Sequence, residues 1–365
     1  MSEIIHCITT ISLGGAEKQL YTLVEQQIKS GKNVTIFFLK GQPDLRQKFE
    51  DVGANVLDNL VNRNFLVQTY ILRRYMKDKK AILHAHLPRS ELICAFSKQQ
   101  NCLVISKHNS ERFFPKGNVV FSRMLAQFVF SRSNMCICIS LAVKSFLLQI
   151  KEINKSDRVQ VVHYGYSTID EILVSKQLAK NSLGLDKFFV VGSIARLVPQ
   201  KNYRVLLEAF SIFRVGRTDA KLLIVGSGPQ EKYIFNLARE LDIYKDIVWV
   251  PRTKDVYRYL SAMDIFVLAS KYEGFGLVLL EAMQSKTPII SAKNSSTPEV
   301  LGNHYPGFFE TTSVVDLLDK ITMATDQTYR DGLTDSYPNR LTEFDPSSMS
   351  EKVFSCYEKA INMKR

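Results

Sequence analysis

Residues 188–226 read FFVVGSIARLVPQKNYRVLLEAFSIFRVGRTDAKLLIVG, and this stretch decides the fold. Phe188–Ala195 is a short apolar, β-branched run that predicts a strand. Tyr203–Val215 places apolar residues at helical spacing, and Lys221–Gly226 is a second apolar run closed by a glycine. Strand, loop, helix, strand is a βαβ crossover, which builds a parallel sheet covered on both faces. The alternation continues with strands expected at Ile247–Pro251, Asp264–Ser270 and Pro288–Ala292. Helices are expected at Gln230–Leu241, Val256–Met263 and Phe275–Gln284.

Upstream the same rhythm has already run once. Strands are expected at Ile4–Ile11, Asn33–Lys40, Asn55–Leu60, Ala81–His86, Cys102–His108 and Met135–Ser140. Helices fall at Ala16–Lys29, Phe65–Lys79, Ser90–Lys98, Val119–Ser131 and Leu141–Lys151. A polar stretch, Ser167–Leu185, separates the two runs, and a last helix at Ser348–Asn362 has no strand after it. The fold class is α/β with two doubly wound parallel sheets, whose binding sites belong at the carboxyl ends of the strands and in a cleft between the domains. The length, 365 residues, suits two domains of about 150–200 residues each.

Composition narrows the function classes. Six scattered cysteines form no CxxC pair, which favours free thiols in a reducing compartment over zinc or a disulfide framework. The opening Met1-Ser2-Glu3-Ile4-Ile5-His6 lacks a secretory pattern, and no apolar run approaches the roughly 20 residues of a spanning helix. The net charge of +12 is lopsided: residues 1–163 hold 23 Lys+Arg against 12 Asp+Glu, a net +11. Nucleic acid, an anionic bilayer or a diphosphate-bearing molecule would each suit such a surface.

Four segments carry candidate chemistry. The first, Lys271-Tyr272-Glu273-Gly274-Phe275-Gly276-Leu277, joins a strand to a helix, so backbone N–H groups at the helix start can approach a ligand. Glu273 and Glu281 lie eight residues apart and share a side if the helix is continuous, where they suit sugar and ribose hydroxyls. A helix-dipole residue and a surface carboxylate are the plainer alternative. The second segment, Gly192 to Asn202, presents Arg196 and Lys201 at a strand end, a metal-free diphosphate site or a pair of solvated charges. The third, Gly226-Ser227-Gly228-Pro229, is a weak GxG turn without the full dinucleotide fingerprint. The fourth, Gly14-Gly15-Ala16-Glu17, opens a helix after the first strand. His84, His86 and His108 stand at strand ends; His84 and His86 share a strand face, but no third metal ligand sits at recognisable spacing.

Taken in order, these segments resemble family 4 of the retaining glycosyltransferases over nearly the whole chain. The carriers are Gly14-Gly15-Ala16-Glu17, His84-Ala85-His86, Ser106-Lys107-His108-Asn109, Gly192 to Asn202, Val225-Gly226-Ser227-Gly228-Pro229 and the EX7E stretch Glu273 to Glu281. The resemblance implies GT-B architecture, with two Rossmann-like domains at 1–166 and 167–346 and a C-terminal helix, 347–365, packing back on the first. It implies that Arg196 and Lys201 grip the donor diphosphate without a metal or cofactor, and that Gly14, Gly15 and Gly226 approach the donor. Glu281 would hold the ribose and Arg252 frame the base. Glu273 with Gly274, Phe275, Gly276 and Leu277 would hold the sugar, as a positioning residue in same-face attack with the leaving diphosphate helping to take the acceptor proton. His108 would stand beside the sugar, with His84, His86 and Asn109 toward the acceptor. The implied partners are a nucleotide sugar, with UDP favoured, and a glycan or lipid-linked acceptor; nucleic acid is not expected. One departure is His163-Tyr164-Gly165-Tyr166-Ser167, where relatives often read Asn-Gly followed closely by Asp.

The basic first half suggests a use at a membrane. Arg63, Arg73, Arg74, Lys77, Lys79 and Lys80 interleave with Phe65, Leu66, Tyr70, Ile71 and Leu72, and Arg112-Phe113-Phe114-Pro115-Lys116 adds a second aromatic-basic loop. Such segments can lie on anionic lipid, placing the enzyme in the cytoplasm at the inner membrane face. The rival readings are a UDP-sugar 2-epimerase of the same architecture and a non-catalytic relative that binds nucleotide or membrane only.

Overall fold

The computed structural model describes residues 3–167 and 174–363. Part of the expected polar connector, residues 168–173, lies outside the described residues. The chain forms two compact units, Met1–Ser167 with Phe344–Arg365, and Thr168–Glu343.

The first unit is built on seven parallel strands: β1 (Glu3–Ile8), β2 (Val34–Phe38), β3 (Asn55–Leu57), β4 (Ala81–His86), β5 (Cys102–Lys107), β6 (Met135–Cys138) and β7 (Val159–Val161). Their order is β3-β2-β1-β4-β5-β6-β7. The central strands are buried along almost their whole length, which is why they read as continuous apolar runs rather than alternating ones. The C-terminal helix Pro346–Asn362 belongs to this unit. It packs on the helix Gly15–Lys29 and on β5 and β6, burying Met349, Val353, Cys356, Tyr357 and Ala360. Asp345 caps it by accepting a hydrogen bond from the Ser348 N–H at 2.9 Å, with Pro346 in the first turn.

The second unit carries six parallel strands: β8 (Phe189–Ile194), β9 (Ala220–Val225), β10 (Ile247–Val250), β11 (Ile265–Leu268), β12 (Ile289–Ala292) and β13 (Phe308–Phe309), in the order β10-β9-β8-β11-β12-β13. In both sheets the chain runs outward to one edge and then returns beside its starting strand. The switch points therefore lie between β1 and β4, and between β8 and β11. Loops leaving these strand pairs diverge and open a crevice where ligands bind in such sheets.

The structure departs from expectation where elements are short or polar. The connector region contains the helix Lys176–Ser182, capped by Ser175. Lys180 in this helix pairs with buried Asp264 at 2.5 Å, and Asp264 also accepts the Val190 N–H at 2.7 Å, so its polar residues tie it to the sheet. Between β12 and the C-terminal helix lie β13 and four helices outside the expected set: Thr297–Leu301, Val314–Met323, Gln327–Thr334 and Tyr337–Thr342. Of these, Val314–Met323 does carry apolar residues at helical spacing and buries Leu317 and Ile321. The six cysteines are all buried and unbridged. Among the described residues, no helix is long and apolar enough to cross a membrane.

Candidate active site

The second unit gathers most of the expected donor residues on the loops that leave β8, β9, β10 and β11. After β8 the chain makes a short turn, Pro199–Lys201, ended by Asn202 in the left-handed region (φ 52°). That turn aims the Lys201 ammonium at the loop after β11. Lys201 Nζ lies 2.5 Å from Glu273 Oε1, with the two side chains 14 % and 7 % exposed. Two further bonds lock the same two loops: Lys271 N–H donates to Gln200 O at 2.8 Å, and the Gln200 side chain donates from Nε2 to Tyr272 O at 2.7 Å. Arg196 is exposed; its carbonyl accepts from Val198 N–H at 2.9 Å, but its guanidinium makes no hydrogen bond or ion pair among the described residues. A free guanidinium beside a fixed ammonium, both at the switch point, is an arrangement suited to a diphosphate.

Glu273 is held from several sides. Ser270 Oγ donates to the same Oε1 that meets Lys201, at 2.6 Å. Its backbone N–H donates to Ser295 Oγ at 2.7 Å, and its carbonyl accepts from Ser296 Oγ at 3.1 Å. With Oε1 shared by two donors, Oε2 makes no hydrogen bond among the described residues. The continuous helix that would set Glu273 and Glu281 on one side does not form, and the helix expected at Phe275–Gln284 starts two residues later. The helix is Leu277–Gln284, and Gly276 precedes it with φ 90° and ψ 54°. The left-handed glycine breaks the path, so Glu273 stands in the turn before the helix and Glu281, partly buried, on the helix itself. Gly274 and buried Phe275 fill the turn between them. Ser270, Asn294, Ser295 and Ser296, which hold this turn, were missed; the polar run Asn294-Ser295-Ser296-Thr297 after an apolar strand was the available signal.

The GxG turn has a packing reason. A Cβ on Gly226 would lie 1.9 Å from Ala195 O, and one on Gly228 2.4 Å from Leu197 O. The glycines let the β9 loop press against the Arg196 loop, to which it bonds through Leu197 N–H to Ser227 O at 3.1 Å. Arg252, exposed after β10, donates its backbone N–H to Ser227 Oγ at 3.2 Å. The structure thus brings Arg196, Lys201, Gly226, Arg252 and Glu273 to adjoining strand ends of one sheet.

In the first unit, Gly14 and Gly15 start the helix Gly15–Lys29, with Gly14 at its N-cap. The Glu17 carboxylate folds back and accepts from Thr10 Oγ1 at 2.5 Å. The histidines meet across strands. Parallel register sets His6 beside His84, and His6 Nδ1 lies 3.0 Å from His86 Nε2. Spacing shows no third ligand beside His84 and His86, but strand register brings one near: one ring nitrogen from each of His6, His84 and His86 lies within 4.8 Å of the other two. His108, half-buried, is engaged at both nitrogens, by His86 Nδ1 at 3.1 Å and by the Tyr164 hydroxyl at 2.5 Å. Burial pushes His6 down to about 4 and His108, which also feels Lys107, down to about 3. Burial and neighbouring imidazoles hold His84 and His86 well below the usual range too, so all four rings are neutral at pH 7. Asn109 is exposed beside them.

Two family models match the chain almost end to end. Glycosyltransferase Family 4 matches residues 13–168 and Glycosyl transferases group 1 matches residues 174–331. The chain is 27 % identical over 290 residues to an N-acetyl-alpha-D-glucosaminyl L-malate synthase of Bacillus anthracis, covering 76 % of this chain and 73 % of that protein. It is also 27 % identical over 131 residues to a Campylobacter jejuni N-acetylgalactosamine-N,N'-diacetylbacillosaminyl-diphospho-undecaprenol 4-alpha-N-acetylgalactosaminyltransferase, there covering 36 % of this chain and only 34 % of the relative. The structure of Anabaena HepE in complex with UDP-glucose superposes with a TM-score of 0.83 at 16 % identity, over 98 % of this chain and 100 % of the other. At that identity the likeness speaks for the fold alone.

Proposed function

This chain belongs to glycosyltransferase family 4, and from that premise we propose that it moves a sugar, with retention of configuration, from a UDP-sugar to a glycan or lipid-linked glycan. The observation that carries this reading is the bracket at the β8/β11 switch point: Lys201 bonded to Glu273, with Arg196 free beside it. In this reading Arg196 and Lys201 neutralise the diphosphate as it departs, which is where charge develops, so no metal ion is required. Glu273 Oε2 accepts from a sugar hydroxyl, Glu281 from the ribose, and Arg252 borders the base. The UDP-glucose bound by HepE and the lipid-linked substrate named for the Campylobacter relative support the choice of donor and acceptor classes.

Donor choice is tested by thermal shift. UDP at about 100 times its dissociation constant stabilises the binding state by about 2.7 kcal/mol, a shift of several degrees. A larger response to GDP would move the donor assignment to another nucleotide, and no response to any nucleotide would oppose the enzyme reading. Product analysis separates transfer from 2-epimerisation, because only transfer consumes an acceptor.

The reading extends to an anionic lipid surface. The helices Phe65–Met76 and Val119–Arg132 both pack on the helix Pro88–Ser97, where Phe96 meets Phe65 at 6.0 Å and Phe128 at 4.9 Å between ring centroids. This layer exposes Leu66, Tyr70, Phe96, Val120, Phe121 and Met124, with Arg63, Arg73, Arg74, Lys77, Arg112 and Lys116 also exposed nearby in sequence. Apolar side chains framed by cations suit the boundary between acidic headgroups and acyl chains. The protein should float with vesicles containing phosphatidylglycerol and stay behind with pure phosphatidylcholine. The triple variant Val120→Ser, Phe121→Ser, Met124→Ser should lose flotation. Equal partitioning onto both vesicle types would oppose an anionic-lipid surface, and no flotation with either would oppose a lipid surface altogether.

A further inference from the structure

Eight side chains of the first unit form one unbroken hydrogen-bonded chain, and it uses both nitrogens of His6, His84, His86 and His108. Tyr164 OH meets His108 Nδ1 at 2.5 Å, His108 Nε2 meets His86 Nδ1 at 3.1 Å, and His86 Nε2 meets His6 Nδ1 at 3.0 Å. His6 Nε2 then meets Gln27 Oε1 at 2.8 Å, and Gln27 Nε2 meets Tyr357 OH at 3.1 Å. Tyr357 OH meets His84 Nδ1 at 2.7 Å, and His84 Nε2 ends the chain on Ser106 Oγ at 2.7 Å. The chain doubles back on itself: His84, His86, Ser106, His108 and Tyr164 all border one cavity of about 30 Å³.

A neutral imidazole has one N–H and one lone pair, so each ring must donate on one side and accept on the other. The sense of any one bond therefore fixes every bond in line with it. Gln27 is the member whose donor and acceptor cannot exchange by moving a proton, because the donor is Nε2 and the acceptor Oε1. Its carbonyl faces His6, so His6 donates from Nε2 and accepts at Nδ1 from His86 Nε2–H. His86 in turn accepts from His108 Nε2–H, and His108 Nδ1 accepts from the Tyr164 hydroxyl. On the other arm Gln27 N–H donates to Tyr357, whose hydroxyl donates to His84 Nδ1, and His84 Nε2–H donates to Ser106. Turning the amide over would reverse the whole chain at once.

We propose that this chain is a tautomer lock in which Gln27 is a positioning residue, holding His108 as the Nε2–H imidazole with Nδ1 presented as an acceptor. The partner at rest is the Tyr164 hydroxyl; under the transferase reading, on which this role rests, a substrate hydroxyl replaces it. A metal ion among His6, His84 and His86 would have to break the His86–His6 bond and displace a partner of His84, so the lock and a metal site exclude each other.

Long-range proton–nitrogen spectra of the ¹⁵N-histidine-labelled, ligand-free full chain at pH 7 test this directly. His6, His86 and His108 should each show a protonated Nε2 and a bare Nδ1. Gln27→Leu should turn His108 into a tautomer mixture and lower kcat about tenfold with donor KM within about twofold, the loss of roughly one hydrogen bond. Tyr357→Phe should free His84 while leaving His108 as it was. An Nδ1–H or imidazolium His108 in the wild-type protein overturns the lock, as does an unchanged His108 in a folded Gln27→Leu variant. Equimolar Zn²⁺ should move none of these signals; a joint shift of His6, His84 and His86 overturns the lock in favour of a metal centre. Should Gln27→Leu not fold, the wild-type spectrum decides alone. Because tautomers are read without substrate, failure of the lock leaves the transferase reading standing, and absence of UDP binding leaves the lock standing.

Discussion

Replacing Lys201 with alanine lowers turnover about 10²–10³-fold, the scale of losing one preorganised electrostatic contact at developing charge. Replacing Glu281, which meets the ribose away from that charge, severely lowers turnover at sub-saturating donor by weakening donor binding, and each variant still folds. The two substitutions differ in what else they disturb. Lys201 shares Glu273 Oε1 with Ser270, and the pair is nearly buried. Removing one partner of a fully buried ion pair costs about 3–5 kcal/mol, because the other charge stays behind. Here Ser270 still donates to Glu273, so the loss falls at or below that range, and each kcal/mol moves the midpoint of a unit this size by about 2–4 °C. Glu281 stands partly exposed on the helix Leu277–Gln284, and alanine, the best helix former, offsets part of what its side chain contributes there, so its midpoint should fall less than that of Lys201→Ala. Arg196→Ala supplies the control between them: an exposed guanidinium without a partner among the described residues, whose removal should slow turnover with little thermal cost. Nucleotide release and thermal midpoints, measured side by side, check all three. Near-normal turnover in both Lys201→Ala and Glu281→Ala would count heavily against the donor site.

The contrast between these residues and the histidine chain marks what could be read from the chain as text. Arg196, Lys201 and Glu273 were legible because each sits a few residues beyond a buried parallel strand, and such strands announce themselves as unbroken apolar runs. Their meeting follows from one topological fact, that β11 returns beside β8. Short edge strands such as β7 and β13 were not legible, since two or three residues establish no period. Nor was the helix Lys176–Ser182, whose lysines read as linker until Asp264 is seen to receive them. His6 could not be joined to His84 by spacing, because 78 positions separate them and only strand register makes them neighbours. Gln27 and Tyr357 lie still further beyond pattern reading: two helices from opposite ends of the chain must pack before their side chains touch. Period reveals which face an element buries; it does not reveal which polar atoms meet once the faces close.

Glu273→Gln separates a positioning carboxylate from a nucleophile. In the native turn Oε1 already accepts from Lys201 and Ser270, which leaves Oε2 as the acceptor that can face a sugar hydroxyl. A glutamine with its carbonyl toward Lys201 and Ser270 keeps those bonds and turns the other arm into a donor. The sugar hydroxyl then loses its acceptor, and turnover should fall about 10²-fold, roughly 2.7 kcal/mol of transition-state stabilisation, with the product anomer unchanged. Ser270→Ala should cost less, within about tenfold, because Lys201 still holds Oε1 and the backbone bonds to Ser295 and Ser296 still fix the turn. A covalent nucleophile predicts something else: turnover near background in Glu273→Ala, rescue by added azide, and a glycosyl azide of inverted configuration. Azide rescue would make Glu273 a bond-forming group. Residual retaining turnover in Glu273→Gln without azide rescue in Glu273→Ala keeps it as the side chain that orients the sugar while the diphosphate leaves.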